Sequence, residues 1–242
     1  MGTSTSYDAP PSWRNLKGDV TRAASDRPLT PASARKILRS FIAHNGGTRA
    51  VARGVGGGGV VARGHAARRV ASRLGGFISD IGRLGLDGAL RNAGWSDLVG
   101  RPVQEIFHAI VDRLSGESST LDDVDARMAL SKLQEQYFAA ATTPEELERL
   151  LNAQVDRLDS LLQDFFGFYL YEVFCRVFFE RLMQRIGEAR AYSFLNEIRD
   201  FIRSTLANRA TNLDLERVNW NGTDGQAIVQ DIMETTFSVF GG

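Results

Sequence analysis

Phe165-Phe166-Gly167-Phe168-Tyr169-Leu170-Tyr171-Glu172-Val173-Phe174-Cys175-Arg176-Val177-Phe178-Phe179-Glu180-Arg181-Leu182-Met183 carries eight aromatic residues in nineteen. Its apolar surface is broken by Glu172, Arg176 and Glu180, four residues apart, which share a narrow helix face and can pair along it. A helix that is apolar almost all round is covered by other helices, so this one belongs at the centre of a bundle. The aromatic cluster reads as core packing rather than as a cofactor pocket, and Cys175 within it as a buried, inert thiol. The charges at 172, 176, 180 and 181 are too costly at a bilayer centre for the stretch to be a transmembrane span. Gly167 is expected to kink or break the join with the preceding helix.

That preceding helix has the cleanest amphipathic pattern in the chain. Thr143 can cap it, Pro144 fits its first position and Glu146 completes a capping box. Leu147, Leu150, Leu151, Val155, Leu158, Leu161, Leu162 and Phe165 follow at three- and four-residue spacing. Upstream, Thr120 is expected to cap a helix to about Ala141, with Asp122, Asp123 and Asp125 favouring its dipole rather than holding a metal. Pro102 opens another to Leu114. Leu84 to Gly100 reads as helix, turn, helix around Trp95, and a basic helix spans about Val60 to Ile81. Thr30-Pro31 starts a helix ended by Asn45-Gly46-Gly47. Downstream come a helix from Tyr192 to Leu206, a polar connector from Asn208 to Asn221, and a last helix with Thr223 and Gln226 as a capping box. Strand-like alternation is absent. The expected fold is therefore all-α, a bundle of about seven or eight helices behind a mostly disordered N-terminal tail.

At 242 residues, 43% hydrophobic and 24% charged, the chain can bury a sizeable core. Three parts are expected: a flexible tail over 1–29, a basic, Gly-rich helical segment over 30–82 and an all-α core over 83–242. The net charge of zero hides an asymmetry. Residues 1–91 hold 15 Lys/Arg against 5 Asp/Glu, and the rest 14 against 24. Such a split points to an acidic partner, or to two halves that meet each other. One cysteine excludes an internal disulfide, and His44, His65 and His108 lack metal-ligand spacing. Without a secretory signal or spanning helix, the expected compartment is the cytoplasm.

No catalytic constellation is visible, and no enzymatic activity or cofactor is expected. Gly54, Gly56 and Gly59 fit a dinucleotide fingerprint by spacing, but no strand precedes them, so they read as a flexible joint. The Arg-rich segment, with Arg63, Arg68, Arg69 and Arg73, could neutralise phosphates of a nucleic acid. It lacks interleaved aromatics for base stacking. Met1-Gly2-Thr3-Ser4-Thr5-Ser6 satisfies the loose myristoylation pattern, yet one acyl chain without a polybasic patch anchors poorly. Removal of Met1 would leave the Gly2 amine, whose pKa near 8 makes it nucleophilic at neutral pH. The small residues Thr3, Ser4, Thr5 and Ser6 could thread a narrow active site. Tyr7 and Trp13 are either anchors for a partner or aromatics that pack back on the body.

The opening Met1-Gly2-Thr3-Ser4-Thr5-Ser6-Tyr7 with Pro11-Ser12-Trp13 resembles the start of the QatB family of bacterial anti-phage proteins. Ala66-Ala67-Arg68-Arg69-Val70 followed by Gly76-Phe77 is similar to the same family, as are Gly85-Leu86-Asp87-Gly88-Ala89-Leu90 and Asp97-Leu98-Val99-Gly100-Arg101-Pro102. The resemblance spans most of the chain in order, and the leader after Trp13 is shorter than in many members. It implies a component of the four-protein Qat defence system. The implied partners are an ATPase (QatA-like), an enzyme similar to the cyano-deazaguanine synthase QueC (QatC-like) and a nuclease similar to TatD. Joined to the amine argument, it implies that the QueC-like enzyme attaches a deazapurine to Gly2, with Thr3 to Tyr7 and Trp13 as the partner-binding residues. The alternative is a basic subunit that brings the nuclease to phage DNA.

Overall fold

The computed structural model describes residues 11–26, 28–53, 64–207, 215, 218–220 and 222–241. Among them every regular element is helical, as expected, but the α-helices number ten. They are α1 (Pro11–Ser25), α2 (Pro31–His44), α3 (Gly47–Arg53), α4 (His65–Asn92), α5 (Val103–Ser115), α6 (Leu121–Phe138), α7 (Pro144–Asn152), α8 (Leu158–Ile186), α9 (Glu188–Ala207) and α10 (Thr223–Gly241). Short 3-10 turns lie at Ser96–Leu98 and Val155–Arg157. None of these helices is long and apolar enough to cross a membrane.

The aromatic helix α8 is central. It packs against α1, α4, α6, α9 and α10, and Phe165, Phe166, Phe174 and Phe178 are wholly buried along it. Phe41 of α2 meets Phe174 edge-on at 5.3 Å, and Phe174 lies 4.6 Å from Phe178. The buried residues, from Leu16 to Phe240, form one apolar cluster.

The polar stripe on α8 behaves differently from the sequence expectation. Glu172 pairs with Lys132 of α6 at 3.5 Å, and Arg176 bonds both oxygens of Asp125, also on α6, at 2.9 and 3.1 Å. Glu180 accepts from Gln184. Glu172 and Arg176 face α6, so packing takes those two from each other, while Glu180 stays with a partner on its own helix.

The helix break also falls elsewhere. Gly167 lies inside α8, whereas the chain breaks between α7 and α8 around Val155–Arg157. A Cβ on Gly167 would sit 2.6 Å from Leu206 Cδ1 and 3.2 Å from Ile202 Cγ2, so the glycine allows α9 to lie close. Val155 presses into a gap at Gly82, where a Cβ would come within 2.9 Å of its side chain. Tertiary contacts of this kind leave no trace in periodicity.

Part of the expected tail is folded. In α1 Leu16, Val20 and Ala24, spaced by four, are buried against the body. Three apolar positions in fifteen residues are too few to stand out in a proline- and serine-bearing leader. Residues 1–10 lie outside the described residues. The basic helix expected from Val60 to Ile81 is instead α4, which runs on to Asn92 through an interruption at Gly85 (φ 70°, ψ 176°). The capped starts at Thr30, Thr120 and Thr143 are present, each threonine hydroxyl accepting a backbone N–H three residues on. At α10 the Gln226 N–H bonds Gly222 O, so Thr223 opens the helix rather than capping it.

The expected polar connector hides two core residues, Leu215 and Trp220. Trp220 is 4% exposed. Its indole covers Gly75 of α4, where a Cβ would lie 2.5 Å from the ring, and its Nε1 donates to Ser79 Oγ at 2.9 Å.

Candidate functional site

Gly2, Thr3, Ser4, Thr5, Ser6, Tyr7 and Arg63 lie outside the described residues. Trp13, Arg68, Arg69 and Arg73 lie within them.

Trp13 stands in the first turn of α1. Its ring stacks on His44 of α2, with centroids 4.6 Å apart and planes 19° apart, and lies 5.6 Å from Phe178 of α8. Lys17 Nζ sits 5.7 Å from the ring centroid. Burial lowers the pKa of His44, which keeps the stacked imidazole neutral near pH 7. Of the two readings open for this aromatic, the structure shows it packed on its own body, partly exposed.

The three arginines occupy the first turns of α4 and line a groove between α4 and α10. The groove has a volume of about 660 Å³, with His65, Trp220, Gln226 and Gln230 completing its walls. The arginines are not loose. Arg69 Nη2 donates to Asp123 Oδ1 at 2.6 Å and to Ser115 O at 3.4 Å. Arg73 Nη1 donates to Leu114 O at 3.1 Å. The two thus satisfy carbonyls that the last turn of α5 leaves without helical partners. Arg68 Nη2 lies 2.8 Å from His65 Nδ1. Burial lowers the Arg68 pKa, and nearby Asp122 acts against that.

The acids at the start of α6 each hold a specific partner beyond their helix dipole. Asp122 accepts from Ala66 N at 3.0 Å and from the Tyr169 hydroxyl at 2.6 Å. Asp123 accepts from Thr120 N and Oγ1 at 2.8 and 2.7 Å while its own N–H donates back to Thr120 Oγ1, a reciprocal capping box. The sequence reading missed that box because aspartate, not Glu or Gln, fills its third position. Burial alone would raise the Asp123 carboxyl, but Arg69 and the Thr120 and Ser119 donors outweigh it and hold it well below its usual range. Asp125, more fully enclosed, goes the other way: burial pushes it up to about 6 against the pull of Arg176. Burial likewise pushes Cys175 up to about 12, so its thiol is unreactive near neutrality. Among the described residues no group of three His, Cys, Asp or Glu is placed to hold a metal ion.

Sequence reasoning missed Trp220, which builds the second wall of the arginine groove. The one available signal was a tryptophan in an otherwise polar connector.

The class is thus an all-helical protein, with an arginine-lined groove whose cations also cap a neighbouring helix. Residues 55–240 match the family described as Qat anti-phage system associated protein QatB. The chain belongs to that family, and with it to the Qat anti-phage system. The matched span contains α4 to α10 up to Phe240, and leaves out α1, α2, α3 and the Gly2–Trp13 motif. No curated protein and no solved structure matches the chain.

Proposed function

We propose that the protein serves the Qat system as a non-enzymatic substrate and adaptor subunit of the cytoplasm. Its Gly2 amine is the acceptor for a deazapurine attached by the QueC-like partner. The QatA-like ATPase and the TatD-like nuclease are the further partners of the assembly. Family membership supplies the context, and the amine chemistry supplies the acceptor.

The observation that carries the reading is the docking of Trp13 on His44 and Phe178. It roots the N-terminal segment on the helical body, so partner recognition falls to residues 2–10. Nine residues span at most about 30 Å when extended, enough to enter an active site while the body stays outside. Tyr7 is then the aromatic left to anchor the partner.

Intact-mass measurement after co-expression with the QueC-like enzyme tests this. The expected result is a mass gain on the N-terminal peptide, lost in Gly2→Trp and after a Gly–Ser extension ahead of Gly2. An unchanged mass beside an active partner enzyme rejects it.

The arginine groove favours a second reading, contact with nucleic-acid phosphates. Arg69 and Arg73 hold carbonyls of α5, so Arg68→Glu changes the charge of the groove without removing those contacts. It should remove salt-sensitive DNA binding and spare any mass gain.

A further inference from the structure

A second groove opens among α6, α8 and α9, on residues that the proposed function does not use. Its volume of about 440 Å³ is in the range of small-molecule sites. Tyr137 of α6 and Asp164 of α8 form the floor, the tyrosine hydroxyl donating to the carboxylate. Arg157, from the turn before α8, and Arg203, from α9, stand on the walls with Ser160 and Ser204.

Neither arginine closes on the carboxylate beside it. Where a buried carboxylate elsewhere meets an arginine, the pair closes: Arg176 on Asp125 at 2.9 Å, Arg69 on Asp123 at 2.6 Å. Arg157 and Arg203 both act on Asp164 electrostatically, yet among the described residues neither side chain makes a hydrogen bond or an ion pair. Both are exposed. They converge on one space from two elements without filling it. The other acid on the rim, Asp200, is engaged by its neighbour Arg199 at 3.4 Å. Burial pushes Asp164 up, and the Tyr137 hydroxyl occupies one of its oxygens, so the floor opposes an incoming anion less than a free carboxylate would.

We infer that this groove is a binding site for a small phosphate-bearing molecule, held between Arg157 and Arg203 with the Ser160 and Ser204 hydroxyls beside it. Two guanidinium groups from separate elements, the turn before α8 and α9, can each offer a fork of N–H donors to phosphate oxygens. The groove's volume is large enough for one phosphate and a single attached group. The site stands apart from the N-terminal reading, and either can fail without the other.

Calorimetric titration of the full chain with inorganic phosphate and with a nucleoside monophosphate tests it. Saturable binding is expected, weakened about tenfold or more by Arg157→Ala and by Arg203→Ala. Arg185→Ala, which removes the same charge from an exposed position late in α8, is expected to leave it unchanged. Because Arg157 and Arg203 make no such bonds among the described residues, both variants should melt like the parent. Equal affinity for the two probes assigns the site to the free anion, and tighter monophosphate binding assigns it to an ester; either supports the site. Absence of saturable binding with both probes overturns it, as does equal weakening by Arg185→Ala.

Discussion

Replacing Arg176 by methionine should destabilise the protein in a strongly pH-dependent way. Asp125 is 5% exposed and the Arg176 side chain 20%, so the ion pair lies within the α6–α8 contact. Breaking a buried pair by removing one partner costs about 3–5 kcal/mol, because the remaining charge stays buried. The sign of the pH effect follows from Asp125, whose folded pKa of about 6 exceeds the unfolded value of about 3.9. An acid raised in the folded state contributes stability that is fully present below about pH 4 and lost as pH rises through about 6. Arg176 opposes that rise, so its loss moves the folded value higher and extends the loss of stability above pH 6. The variant should therefore unfold at nearly the parent's urea concentration near pH 4, and fall about 3–5 kcal/mol below it at pH 8. Acids elsewhere, such as Asp123, titrate alike in both proteins and cancel. Adding Asp125→Asn should return about 2 kcal/mol at pH 8, since no charge is then stranded. Urea unfolding followed by circular dichroism from pH 4.5 to 8 measures all three proteins. A penalty below about 1 kcal/mol at pH 8, or one equal at both ends of the range, refutes the reasoning.

Two further outcomes follow from the packing. Gly75→Ala places a methyl group 2.5 Å from the Trp220 ring, so it should cost about 1–3 kcal/mol and red-shift the tryptophan emission as the indole is displaced. An unchanged spectrum and melting point would contradict the contact. Thr120→Ala removes the capping hydroxyl of α6 and should cost about 1–2 kcal/mol in thermal melts, whereas Thr120→Ser should be close to neutral.

Much of the fold was legible because it rests on local rules. Thr30, Thr120 and Thr143 announce helix starts by chemistry that acts within four residues. The all-apolar surface of α8 required a central place. What was not legible depends on distant segments. Gly167 breaks helices as a local rule, but α9 lies against it and the helix continues. Glu172 and Arg176 could pair along α8, but Lys132 and Asp125 are nearer once α6 is in place. Trp220 sits among polar residues and is buried only because Gly75 and Gly76 leave a bare strip on α4. At the candidate site, the basic character of α4 was readable from composition. The commitment of Arg69 and Arg73 to α5 was not, since it joins residues more than forty positions apart.

α10 packs on α2 and α3 as well as on α4 and α8. Gly241 lies against Ile42 and Thr48, where a Cβ would come 3.3 Å from Ile42 Cγ2 and 2.6 Å from Thr48 Oγ1. During synthesis the first helices therefore emerge long before the helix that covers them. Until α10 is made, the apolar side of α2 that will face it has no lasting cover, and a large loop must close before that contact forms. The nascent chain thus passes through an interval in which the segment bearing Gly2 is already outside the ribosome while its supporting body is unfinished.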